Sequence, residues 1–216
     1  MRIGNGKGPI FVILSISLLL FIPLFFLKGT AFLDFWWWFT ANVVILLGLV
    51  FYFDRNFSLL IINDFKNKFV IKIVIGFASA AILYLIFFTG DFITRWIFAF
   101  AQDEIFNIYR FKGDASLLRI TLLMFLIIGP GEELFWRGYV QRVLSKKYGS
   151  APGFFLAAGL YTFIHISSGN PMLVLAAFVC GIYWGWIYMR KGSLILNIVS
   201  HVVWDIAVFV VFPFKG

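Results

Sequence analysis

Charge is what this chain has least of. Only 13% of its 216 residues are Asp, Glu, Lys or Arg, against about 25% in an ordinary soluble domain. Cysteine is nearly absent: Cys180 stands alone, which excludes an internal disulfide and a multi-cysteine metal site. It lies in an apolar run with no charged neighbour to favour a thiolate, so it reads as inert packing. The zinc motif His-Glu-x-x-His is missing, and so is the Gly-x-Ser-x-Gly of serine hydrolases. Ser200 directly precedes His201, so the two point apart on a helix and make a poor dyad. An aspartyl dyad needs two aspartates within the membrane, and only Asp205 lies deep in an apolar span. There is no internal repeat or pair of broken helices of the kind that builds transporters.

What is present is apolar. Hydrophobic residues make up 62% of the chain, aromatics 21%, with 29 Phe. The apolar residues gather in runs of about 20, the length of a membrane-crossing helix. The fold expected is an all-α polytopic membrane protein with about seven transmembrane helices (six to eight). Short loops leave no room for a soluble domain. Residues 1–216 therefore read as one integral membrane domain, with spans and an interfacial segment over 1–116 and a four-helix core over 117–212.

The first run, 9–27, follows Arg2 and Lys7. It is too long for a signal peptide and lacks a small-x-small cleavage site, so it reads as the first span. The second is 33–53, with Trp36, Trp37 and Trp38 as an interfacial aromatic belt. A charged loop precedes the third, 69–89. Residues 90–116 mix charges with aromatics and suggest one or two interfacial helices covering a site. The fourth span runs from Leu117 through a Gly129-Pro130-Gly131 break to about Val143. The last three are 152–167, 172–189 and 193–212. With the amino terminus inside, twelve Lys and Arg fall on the inner side and six on the outer. That bias favours a multi-pass cell-membrane protein with a cytoplasmic amino terminus and an outer carboxyl terminus. It also accounts for the net charge of +8 without nucleic acid as a partner.

Three polar constellations interrupt the apolar spans, where ionisable groups are costly and mark functional sites by default. The first is Glu132-Glu133-x-x-x-Arg137. Glu133 and Arg137 stand i, i+4 with the acid first, the favoured ion-pair order. Glu132 has Trp136 four residues later instead. It is left without a basic partner in apolar surroundings, the setting of a general base. The second is His165. The third is Asn197-x-x-x-His201-x-x-x-Asp205, one helix face turned toward the bundle interior. Each also has a plainer explanation: an ion cluster at the membrane boundary, a packed histidine, or interhelical hydrogen bonds that hold the bundle. At about 1.5 Å rise per residue, Glu132, His165 and His201 each stand roughly 12–20 Å above the inner helix ends, so they can meet.

In this order the three motifs resemble those of the CAAX protease and bacteriocin-processing family, also called the Abi family of intramembrane proteases. Its pattern is Glu-Glu-x-x-x-Arg, then Phe-x-x-x-His, then His-x-x-x-Asn or Asp. Glu132, Glu133 and Arg137 match the first. His165 matches the second with Tyr161 in place of the usual Phe, and His201 with Asp205 matches the third. The resemblance covers about residues 117–209 and includes Gly181-Ile182-Tyr183-Trp184-Gly185. It implies a bundle enclosing a hydrophilic cavity in which Glu132 and His165 activate water. His201 and residue 205 would then stabilise the oxyanion. The partners it implies are a membrane-anchored protein or peptide substrate and the lipid bilayer; whether an accessory membrane protein joins them is left open.

Asp205 leaves two alternatives. An ionised aspartate accepts hydrogen bonds but cannot donate to an oxyanion. It could instead hold the His201 ring, as an orienting acid does. Or Glu132, His165, His201 and Asp205 could ligate zinc or another divalent metal. Metal-independent activation of water is the favoured reading, with Glu133, Arg137 and Asn197 as structural support. The competing classes are a non-catalytic bacteriocin-immunity or scaffold protein and an ion or proton transporter.

Overall fold

The computed structural model describes residues 8–214. Arg2, Lys7 and Lys215, counted in the charge bias, lie outside the described residues. The chain forms an all-α bundle; among the described residues there is no strand beyond one bridge between Gly29 and Asp34. The helices are α1 (Gly8–Leu27), α2 (Phe35–Phe53), α3 (Phe57–Lys66), α4 (Phe69–Ile97), α5 (Ala101–Tyr109), α6 (117–148), α7 (Ser150–Ile166), α8 (Pro171–Lys191) and α9 (Leu194–Val211). Of these, α1, α2, α4, α8 and α9 are each long and apolar enough to cross a membrane. The other two expected crossings are the 17-residue α7 and the compound α6. Large apolar side chains such as Leu19, Val70, Phe77 and Phe155 face outward, as a lipid solvent requires.

Helix starts follow local capping chemistry. The Asp34 carboxylate accepts from the Trp36 and Trp37 backbone N–H groups at 3.0 Å each and opens α2. Asn170 accepts from Leu173 at 2.9 Å ahead of Pro171, and Ser193 accepts from Leu196 at 3.2 Å. These side chains satisfy helix-end donors that lipid cannot.

Several expectations change. The segment 54–68 is not simply a loop, because 57–66 forms the short helix α3. The third span continues to Ile97, so the interfacial segment is shorter, beginning at Phe98. Of the three tryptophans, Trp37 is exposed at 46% but Trp36 is buried and donates through Nε1 to the Phe111 carbonyl at 3.0 Å. Trp36 thus fastens the interfacial segment instead of sitting in a belt. Arg137, counted with the inner loops, is buried within the bundle.

The Gly129-Pro130-Gly131 break is also absent. Helical backbone runs through it, with π-turns at Met124–Ile128 and Leu134–Gln141 flanking the sequence. Pro130 lacks the N–H an α-turn needs, and a wider turn absorbs the loss. The glycines serve close approach. A Cβ on Gly131 would meet Val43 Cγ1 of α2 at 2.2 Å, and one on Gly129 would meet Val202 Cγ2 of α9 at 2.8 Å. They let α6 press against both neighbours, which places Glu132 and Glu133 at the centre.

Candidate active site

Three helices bring the polar groups together. From α6 come Glu132, Glu133 and Arg137; from α7, His165; from α9, Asn197, His201 and Asp205. All seven are buried. Glu133, at 0% exposure, is the hub. Its Oε1 lies 3.0 Å from Arg137 Nη1 and 2.8 Å from His201 Nδ1. Its Oε2 accepts from Asn197 Nδ2 at 3.1 Å, and that amide also donates to the Trp184 carbonyl at 2.8 Å. Arg137 donates onward to the Cys180 carbonyl at 3.3 Å and stands over the Tyr161 and Trp184 rings at 4.9 and 5.6 Å. A buried ion pair survives only when its remaining donors and acceptors are occupied, and these contacts meet most of that demand.

Of the two alternatives for Asp205, one has it hold the His201 ring. Glu133 holds the His201 ring, because the i, i+4 spacing on α9 leaves Asp205 Oδ2 3.5 Å from Nε2, beyond a good hydrogen bond. Glu132 Oε2 lies 3.8 Å from the same nitrogen. Glu132 Oε1 is buried without a hydrogen-bond partner. As its spacing implied, Glu132 is the carboxylate left over once Glu133 has taken Arg137.

His165 is fixed independently. Its Nδ1 lies 2.8 Å from the Tyr161 carbonyl, which can only accept, so Nδ1 carries the hydrogen. In the neutral ring Nε2 is then the acceptor, the form needed to take a proton. Phe25 of α1 packs on this imidazole with ring centres 4.5 Å apart.

A cavity of about 100 Å³ joins Glu132, His165, His201 and Asp205. It is not hydrophilic throughout: most of its wall is aromatic and aliphatic, including Phe25, Phe35, Phe39 and Trp204. Charged groups are costly in lipid, so they are confined to the four positions where chemistry could use them. The metal alternative fares differently. Among the described residues no three His, Cys, Asp or Glu side chains are gathered as a metal-holding group. No step below runs through an ion.

Residues 114–207 match the family model described as type II CAAX prenyl endopeptidase Rce1-like. Over this segment the chain is similar to the Rce1-like family. The family is one of proteases, and the match spans every polar residue of the centre. No curated protein matches the chain, and no solved structure does.

Part of the surroundings of this centre was missed in the sequence. Trp184 stacks on the His201 ring at 3.8 Å between centres and 21° between planes. Its Nε1 donates to Ser200 Oγ at 3.1 Å, which lies 2.9 Å from Ser79 Oγ of α4. Tyr183 Oη is 2.9 Å from the Ser79 carbonyl. Trp184 lay within a segment that resembles the family and Ser200 beside His201, but only the packing of α8 against α9 discloses the stack. Ser79 and Phe25 carried no signal, since a serine or phenylalanine in an apolar run has many uses.

Proposed function

We propose that this chain is an intramembrane endopeptidase that hydrolyses a peptide bond in a membrane-associated protein or peptide. One observation carries the reading. A buried glutamate, at 5% exposure and with an unpaired oxygen, shares a cavity with two histidines whose other ring nitrogens are already held. A purely structural cluster would have paired that carboxylate. The match to a protease family across the same residues supports it.

In this reading water enters between Glu132 and His165 Nε2. Its oxygen attacks the scissile carbonyl carbon while its proton passes to Glu132. The oxyanion forms beside His201. With both ring nitrogens protonated, His201 donates through Nδ1 to Glu133 and through Nε2 to the oxyanion. Collapse breaks the C–N bond, and the proton held by Glu132 goes to the leaving amine. Trp184 fixes the plane of the His201 ring. The apolar wall keeps bulk water from weakening these interactions.

The test is Glu132→Gln. General-base catalysis contributes roughly 10²–10⁴-fold, so turnover falls by that order while the folded protein accumulates normally. Membrane proteins whose termini are mapped in cells carrying either form should then show a tail or leader retained only in the variant. If no terminus changes and the phenotype of the gene persists in Glu132→Gln, the protein is a scaffold or immunity factor. If ion flux, not a terminus, responds, it is a transporter.

A further inference from the structure

The two ends of the bundle differ in both access and charge. The catalytic cavity is lined from one end. Phe25 closes α1, Phe35 opens α2, Leu173 opens α8, and Ile108 and Phe111 belong to the interfacial segment. Phe35 and Phe111, with ring centres 5.0 Å apart, also wall a larger polar recess of about 480 Å³. That recess is edged by Lys28, Asp34, Glu104, Arg110 and Asn170, all from loops or helix ends at the same end. An apolar pocket of about 210 Å³ between α4, α5 and α8 shares Ile108, Leu173 and Trp204 with the cavity and lies in the same half of the bundle.

The opposite end is closed. Below Glu133, Gln141 donates to the Gly185 carbonyl at 2.8 Å. Arg142 pairs with Asp54, and Asp64 accepts from Ser193 and the Ile195 backbone at 3.1 and 2.8 Å. These links join α2, α3, α6, α8 and α9 beneath the centre.

The closed end is also the basic one. It holds Arg55, Lys66, Lys68 and Lys72 around α3, Arg142, Lys146 and Lys147 ending α6, and Arg190 and Lys191 ending α8. The open end has Lys28, Arg95, Arg110, Lys112 and Arg119. Nine against five, counted in described residues alone, follows the cytoplasmic excess of Lys and Arg. Only two acids, Asp54 and Asp64, accompany the nine, whereas five accompany the five at the open end.

From this juxtaposition we infer that the catalytic cavity opens on the face of the membrane away from the cytoplasm. Its substrate is then an extended peptide segment displayed on that outer face: a membrane-anchored tail or an exported peptide. The inference rests on the protease reading for the word substrate, and on packing and charge alone for the direction of opening. A lipidated tail displayed on the cytoplasmic face would meet the sealed end. Peptide backbone would pass from the recess, between Phe35 and Phe111, to Glu132. The adjoining apolar pocket would receive a greasy side chain or the edge of a membrane anchor.

Single-cysteine labelling in spheroplasts tests the direction without relying on catalysis. Cys180 is buried, so the unaltered chain is the blank. Asp114→Cys at the open end and Lys146→Cys at the closed end both replace exposed residues. A membrane-impermeant maleimide should label Asp114→Cys in intact spheroplasts and Lys146→Cys only after permeabilisation. The reverse pattern, or labelling of both from outside, overturns the inference while leaving the protease reading intact. Terminus mapping with Glu132→Gln adds the second arm. A retained segment lying outside the cytoplasm supports the inference, and one cut on the cytoplasmic side overturns it. Absence of any retained segment, alongside outer labelling of Asp114→Cys, overturns the protease reading and with it the substrate.

Discussion

Replacing Glu133 with Gln isolates what holds His201. The substitution removes one charge from a centre where Glu133 meets Arg137 at 3.0 Å, Asn197 at 3.1 Å and His201 at 2.8 Å. Leaving one member of a buried pair uncompensated costs about 3–5 kcal/mol. Arg137 would keep the Cys180 carbonyl at 3.3 Å and two ring faces, and a desolvated ring face is worth about 2 kcal/mol or more to a cation. The lower part of the range, about 3 kcal/mol, is therefore expected for Glu133→Gln. Adding Arg137→Met removes the stranded charge and fills similar volume, an exchange that is often neutral for a buried pair. The double variant should recover most of the stability, read as thermal unfolding of purified protein by tryptophan fluorescence. Turnover should not recover. His201 would lack its anionic anchor, and loss of an oxyanion donor costs roughly 10²–10³ in kcat. A Glu133→Gln protein as stable as the parent would refute the ion-pair argument. A double variant with restored turnover would refute the positioning of His201 by Glu133.

Gly131→Ala should destabilise by about 1–3 kcal/mol through overpacking, since its Cβ would lie 2.2 Å from Val43 Cγ1; Val43→Ala in the same chain should relieve it, and additive losses would show that the close approach is not the cause. Asp205→Asn should keep substantial turnover, because residue 205 sits 3.5 Å from His201 Nε2 and does not hold the ring; a loss as deep as that of Glu132→Gln would give Asp205 a direct part in the chemistry. Incubation with a strong chelator should leave turnover unchanged, whereas a loss reversed by added zinc would reinstate Glu132, His165, His201 and Asp205 as metal ligands.

The polar centre was legible because each of its residues is an exception in its surroundings. Glu132, Glu133, Arg137, His165, His201 and Asp205 are the kinds of side chain that apolar spans exclude. The i, i+4 rule alone assigned Arg137 to Glu133, and the structure keeps that assignment. What the rule could not give was the link from Glu133 to His201, 68 residues later, because spacing along one helix says nothing about how α6 and α9 face each other. Holding the His201 ring was one of two alternatives for Asp205, which shares a helix face with it. Gly129-Pro130-Gly131 misled for a related reason. Those residues end helices in water, but in lipid the freed backbone groups must be met locally, and a π-turn does so without breaking the rod.

The boundary of the family match divides the labour within the bundle. Residues 114–207 contain all the polar groups of the centre. Outside that segment, α1 and α2 supply Phe25, Phe35 and Phe39 to the cavity wall, and α4 supplies the Ser79 that anchors the Trp184 stack. The same outlying helices, with the interfacial segment, line much of the recess and share the apolar pocket with α8 and α9. The polar groups therefore lie in one stretch of sequence, and access to them is shared with another. On the protease reading a substrate is selected by what reaches the centre, so part of its identity is written in α1, α2, α4 and α5, where side chains are apolar, interchangeable and hardest to read.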